Sequence, residues 1–188
     1  MKFTLYYQGP LKSNQCKYIR EHKHELRKCF HKQLKELWNQ PPLNHFKDFL
    51  RNPTTLNNDT LIIKNKNFNF APLISDKIYL VAKLGITLLR PEQPGSIITR
   101  GGDIDNRLKT LLDSLKVPSD PNSLPDNTLP DKEEDPFFCL LADDNLVTDL
   151  EINTYQLLEK SKNQDEVILL IHVKTTKLQS LLGGLDLP

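Results

Sequence analysis

A chain of 188 residues with 38% hydrophobic content can bury one sizeable core, so a single domain over residues 1–188 is the default expectation. The net charge of +1 excludes the overall basic character that marks many nucleic-acid binders, although a global sum does not decide the partner. Three scattered cysteines, Cys16, Cys29 and Cys139, fit reduced thiols better than a disulfide framework, and no apolar run approaches a membrane span, so the chain reads as soluble and cytoplasmic with no membrane partner.

In chain order, KFTLYY predicts a strand with a turn at QGP. A helix follows from about Lys17 to Asn39, in which Leu26, Phe30, Leu34 and Leu37/Trp38 recur at helical spacing until Pro41 and Pro42 end it. Residues 41–76 are Asn-rich and poorly periodic; HFKDFL suits a short helix and LIIKNKNFNF a hairpin turning near NKN. KIYLVAKLGITLL predicts a long strand ended by RPEQPG, and RLKTLLDSL a helix ended by Val117-Pro118. After a proline-rich stretch come three strands, FFCLL, LVTDLEINTYQLL and VILLIHVKT, the last two separated by a loop at EKSKNQDE. Strands mixed with two principal helices predict an α/β (α+β) fold: a small mixed sheet with both helices packed on it, long insertions at about 41–76 and 118–136, and a flexible C-terminal tail at about 178–188.

Charge is unevenly spread. Residues 1–40 carry nine Lys/Arg against Glu21, Glu25 and Glu36, whereas residues 119–136 carry Asp120, Asp126, Asp131, Glu133, Glu134 and Asp135 against Lys132. The acidic stretch is rich in proline and poor in apolar residues, which predicts a mobile surface loop, because it cannot repay its ordering entropy from its own burial. The basic helix suits either phosphate contact or a solvated face. Its His22, His24, Cys29 and His31 lack zinc-finger spacing and read as ordinary side chains of an amphipathic helix.

The stretch GGDIDNRLKTLLDSL, residues 101–115, places two carboxylates at the mouth of a helix. Helical positions i and i+2 lie about 200° apart, so Asp103 is expected before the helix, near its N-cap, with Asp105 in the first turn and both carboxylates bent toward one place. Asp105, Lys109 and Asp113 then form a polar stripe at i+4 steps beside Leu108, Leu111, Leu112 and Leu115. A second acidic pair, Asp143-Asp144, follows the apolar FFCLL strand, where uncompensated carboxylates are costly and a hard divalent cation would offset them. Simpler roles stay open: Asp103 as a helix cap, Asp105 at the positive end of the dipole, Lys109 and Asp113 as solvated partners, and Asp143-Asp144-Asn145 as a turn.

These motifs resemble the RusA-type Holliday junction resolvases, which have an Asp-x-Asp-Asn helix start with a following Lys and a downstream Asp-Asp before an apolar residue. Here they read Asp103-Ile104-Asp105-Asn106, Lys109 and Asp143-Asp144-Asn145-Leu146-Val147, with an echo of a small N-terminal Pro/Ser/Asn motif in GPLKSN at 9–14. The resemblance covers about residues 77–175; residues 41–76 and the acidic insert are additions to the family pattern. It implies that Asp103, Asp105 and Asp144 hold a catalytic Mg²⁺ (or Mn²⁺), with Lys109 a functional lysine beside it. A mixed α/β fold, a homodimer and cleavage of branched DNA by metal-assisted phosphodiester hydrolysis are implied with them. Other readings are a non-catalytic DNA- or protein-binding member of the same fold, and a defence-associated nuclease with a different nucleic-acid substrate.

Overall fold

The computed structural model describes residues 1–51, 60–92, 104–159 and 165–177; Gly101, Gly102, Asp103 and the tail expected at 178–188 lie outside the described residues. In order, the elements are β1 (Lys2–Pro10), α1 (Ile19–Trp38), β2 (Ile63–Asn65), β3 (Phe68–Ile74), β4 (Leu80–Arg90), α2 (Ile104–Leu115), β5 (Phe137–Leu141), β6 (Val147–Gln156) and β7 (Glu166–Lys177), with short 3-10 segments between them. This is the mixed α/β class expected from the sequence, with the strands divided between two sheets.

The larger sheet runs β1-β7-β4-β6, antiparallel except for the parallel β4/β6 pair. Its inner face follows the two-residue period of a half-buried strand: Leu84, Ile86 and Leu88 of β4 and Val167, Leu169, Ile171 and Val173 of β7 are buried. The smaller sheet runs β2-β3-β5, and β3 and β5 are parallel to each other. FNFAPLI and FFCLL are almost continuously buried, as expected for strands covered on both sides. Residues 41–76 are therefore not an appendage: after a 3-10 segment at Leu43–Leu50 they supply the β2/β3 hairpin and the central strand of this sheet. The hairpin turns at Lys66-Asn67, where Lys66 adopts φ 49°.

Helix α1 buries Leu26, Phe30, Leu34 and Trp38, a stripe at four-residue steps, and packs against β5, α2 and β1. Its Gln33 closes part of the free β1 edge: Tyr6 N–H donates to Gln33 Oε1 (2.9 Å) and Gln33 Nε2 donates to the Tyr6 carbonyl (2.7 Å). His22, His24 and His31 are buried rather than solvated. His31 Nδ1 accepts from Phe138 N–H at 2.8 Å, so its other nitrogen, 3.1 Å from the Glu133 carbonyl, carries the proton and donates.

The acidic insert departs from the mobile loop predicted for it. It forms 3-10 turns at Pro121–Ser123 and Lys132–Glu134 and lies along α1. Arg20 pairs with Asp126 at 3.3 Å, Lys28 with Glu134 at 2.9 Å, and Lys35 with Glu133. Leu124 is fully buried against Phe68, Phe70, Val117, Phe137 and Cys139. The insert's own apolar content is too small to order it. Its ordering is offset by surfaces contributed by the rest of the chain: a leucine socket and the cationic face of α1. Exposed pairs contribute less than about 1 kcal/mol each, so Leu124 and the nearly buried Glu134 are the stronger anchors.

Candidate functional site

Helix α2 is the axis of the candidate site, and its buried Leu111 and Leu115 seat it in the core. Asp113 is not a solvated partner of Lys109. Its carboxylate receives Lys23 Nζ of α1 at 2.7 Å, and its carbonyl receives Arg27 Nη2 at 2.9 Å, so this part of the polar stripe is a helix–helix contact. Immediately after α2 the chain runs parallel to the end of β5. Val117 N–H donates to the Leu141 carbonyl at 2.9 Å, which brings Lys116 beside the Asp143-Asp144 turn.

At the N-terminal end of α2, Asp105 is exposed and its Oδ1 accepts from Asn106 N–H at 2.7 Å. The Asn106 carbonyl accepts from Asn14 N–H at 3.2 Å, so the 9–14 segment and the start of the motif helix meet, although they are far apart in sequence. Arg107 fixes that junction from beneath. Only 1% exposed, it donates to the Leu11 carbonyl and to Asp165 Oδ1, both at 2.7 Å, while Leu11 N–H donates to the Asp165 carbonyl at 2.8 Å. Lys109, one turn beyond Asp105, is exposed and makes no ion pair or hydrogen bond to another described residue.

The two members of the second acidic pair point to different tasks. Asp143 Oδ1 accepts from Asn145 N–H at 3.0 Å and caps the 3-10 turn Asp144–Leu146. Asp144, half exposed, turns toward Lys116, whose Nζ lies 2.7 Å from its Oδ2. The hydrogen bond and charge of Lys116 hold the Asp144 carboxyl below the usual carboxylate range. Lys116 thus supplies the compensation that the sequence argument assigned to a cation.

Asp105 stands at the start of α2 and Lys116 just past its end, about 16 Å along the helix axis. No hydrogen bond or ion pair joins Asp105 to Asp144, and among the described residues no group of three His, Cys, Asp or Glu side chains is placed to hold a metal. Asp103, the third expected ligand, lies outside the described residues. The donor chemistry of Asp105 and Asp144 still suits a hard divalent cation: both are exposed carboxylates, and each has an oxygen outside the contacts just named.

Lys116, Arg107 and Asp165 are not singled out by the sequence, because each acts through a partner distant in sequence. Only Lys116 carried a local signal, a basic residue at the C-terminal end of a helix, where the dipole favours it. Among the described residues no helix is long and apolar enough to cross a membrane. No protein-family model matches the chain, and the curated proteins compared with it include no match.

Proposed function

We propose that this chain is a divalent-metal-dependent endonuclease of the RusA type that cleaves branched DNA. The observation that carries this reading is the junction of the 9–14 segment with the first turn of α2 through Asn14 and Asn106, with Asp105 and Lys109 left facing solvent beside it. Two separated parts of the resemblance thus meet at one solvent-facing place.

In this reading Asp105 and Asp144, together with Asp103, would hold Mg²⁺ or Mn²⁺, which would supply polarisation of a phosphoryl oxygen and a water of lowered pKa. The chain's own residues do the rest. Lys109, with no carboxylate partner among the described residues, offers its ammonium to a phosphate oxygen and stabilises negative charge that develops there. Arg107 is a positioning residue that clamps the start of α2 to Leu11 and Asp165. Asp143 shapes the turn that presents Asp144. Symmetric cutting of a two-fold junction calls for two such sites, hence a homodimer.

The Lys116–Asp144 pair favours one rival, a non-catalytic binding protein in which that carboxylate is permanently engaged. Incubation with Mg²⁺ and four-way junction, flap, duplex and single-stranded DNA separates the two. The nuclease reading expects metal-dependent cleavage of the branched substrates. Binding without cleavage of any substrate, in Mg²⁺ or Mn²⁺, establishes the rival instead.

A further inference from the structure

Beside the Asp143-Asp144 turn a groove of about 410 Å³ opens between the tip of the β2/β3 hairpin, the segment leaving α2 and the end of β5; Lys64, Asn65, Lys66, Pro118, Ser119 and Asp143 are among its walls. One wall is cationic. Lys64 is exposed and makes no ion pair or hydrogen bond to another described residue, while Lys66 is exposed with its ammonium 3.5 Å from the Leu124 carbonyl, a weak contact. Neither lysine pairs with a carboxylate among the described residues.

Most of the insert's acids are engaged elsewhere. Asp126, Glu133 and Glu134 are paired with Arg20, Lys35 and Lys28 on α1, Asp135 accepts from Asn69 Nδ2 at 3.0 Å, and Asp120, whose Oδ1 accepts from Asn122 N–H, keeps its charge beside Ser119. The hairpin is also fixed relative to the turn: buried Asn65 donates from Nδ2 to the Pro118 carbonyl at 2.6 Å. Two cations are thus held on a rigid wall that leads to an acidic end.

We propose that this groove seats the sugar–phosphate backbone of one DNA strand next to Asp144, with Lys64 and Lys66 contacting its phosphates. The proposal rests on the nuclease reading and extends it to a hairpin that lies outside the residues carrying the RusA resemblance. A phosphodiester strand matches the groove because its charge repeats along its length, so lysines on one wall engage it without reading its sequence. The Ser119 hydroxyl adds a hydrogen-bonding group at the rim.

The test is fluorescence anisotropy of a labelled four-way junction with the full chain in EDTA, from about 50 to about 200 mM salt. The Lys64→Ala/Lys66→Ala variant is compared with Lys2→Ala/Lys174→Ala, which removes the same charge from the exposed β1/β7 surface. The hairpin variant is expected to bind about tenfold more weakly at low salt and to lose about two units of the salt slope, with the control near wild type. Equal losses in both variants, or wild-type binding by the hairpin variant, would overturn the groove assignment and leave the metal site standing. No binding by the wild-type chain would overturn both readings. Weakened binding by the hairpin variant together with undiminished cleavage by Asp105→Asn and Asp144→Asn would sustain the groove and sink the metal site.

Discussion

Asp143 and Asp144 are adjacent yet chemically distinct, because one spends its carboxylate on the backbone of its own turn and the other reaches Lys116. If Asp144 ligates a divalent ion, the ammonium of Lys116 competes with that ion for the same carboxylate. Lys116→Met, which keeps much of the apolar stem but loses the charge, should therefore enlarge the rise in melting temperature produced by millimolar Mg²⁺, because the ion binds the folded state alone. Monovalent salt at matched ionic strength serves as the screening control. An unchanged or smaller Mg²⁺ shift in this variant would mean that Asp144 is not a ligand. At this scale the sequence was legible where placement follows from local spacing, as for Asp105 and Lys109, exposed one turn apart at the start of α2. It was opaque where a contact such as Lys116–Asp144 joins residues 28 positions apart.

At the scale of elements, α1 and the acidic insert stabilise each other, and two outcomes follow. Leu124→Ala empties a fully buried socket and should cost about 2–5 kcal/mol in denaturant unfolding. A change under about 0.5 kcal/mol would instead describe a loop that merely rests on the surface. The second outcome concerns the histidines of α1. Burial lowers all three, pushing His24 down from 6.5 to about 4, with the Lys28 and Arg27 charges adding to the effect. A depressed folded-state value means that the unfolded chain binds the proton more readily. Stability is thus fully present above about pH 6.5 and is lost as pH falls from there toward about 4. Melting temperatures from about pH 7.5 to about pH 4.5 should fall steeply, and less so in His24→Phe, whose ring can pack between Phe68 and Phe137. Neither His24 nitrogen has a hydrogen-bond partner among the described residues, so the substitution removes no such bond. A flat profile in the wild-type protein would contradict the burial argument. The periodicity of Leu26, Phe30, Leu34 and Trp38 made α1 readable in advance, as the uninterrupted FFCLL run did β5. The histidines were read only as ordinary side chains of that helix; the burial of His24 and His31 depends on Phe68, Phe137 and Phe138, which arrive from strands far along the chain.

Across the whole molecule, the near-zero net charge conceals a partial internal neutralisation: Arg20, Lys28 and Lys35 of the basic helix pair with Asp126, Glu134 and Glu133 of the acidic insert. These pairs leave α1 less available as a phosphate-binding face and hold in place the insert that was expected to be a mobile loop. The mixed α/β class was legible because strand and helix periods were distinct. The β2/β3 hairpin turning near NKN was legible too, but the partition into two sheets was not, since nothing local shows that β3 pairs in parallel with β5 far along the chain. The central claim is that Asp105 and Asp144 hold the ion that drives DNA cleavage, and it is tested most directly by Mg²⁺-dependent cleavage of a four-way junction by Asp105→Asn, Asp144→Asn and Asp143→Asn. Melting temperatures measured without metal show that each variant is folded. The account predicts cleavage reduced by at least about a hundredfold in the 105 and 144 variants, because a neutral amide is a near-isosteric but poor ligand for a hard cation, with Asp143→Asn within a few-fold of wild type. Wild-type cleavage by both Asp105→Asn and Asp144→Asn, or a dead 143 variant beside an active 144 variant, would contradict it.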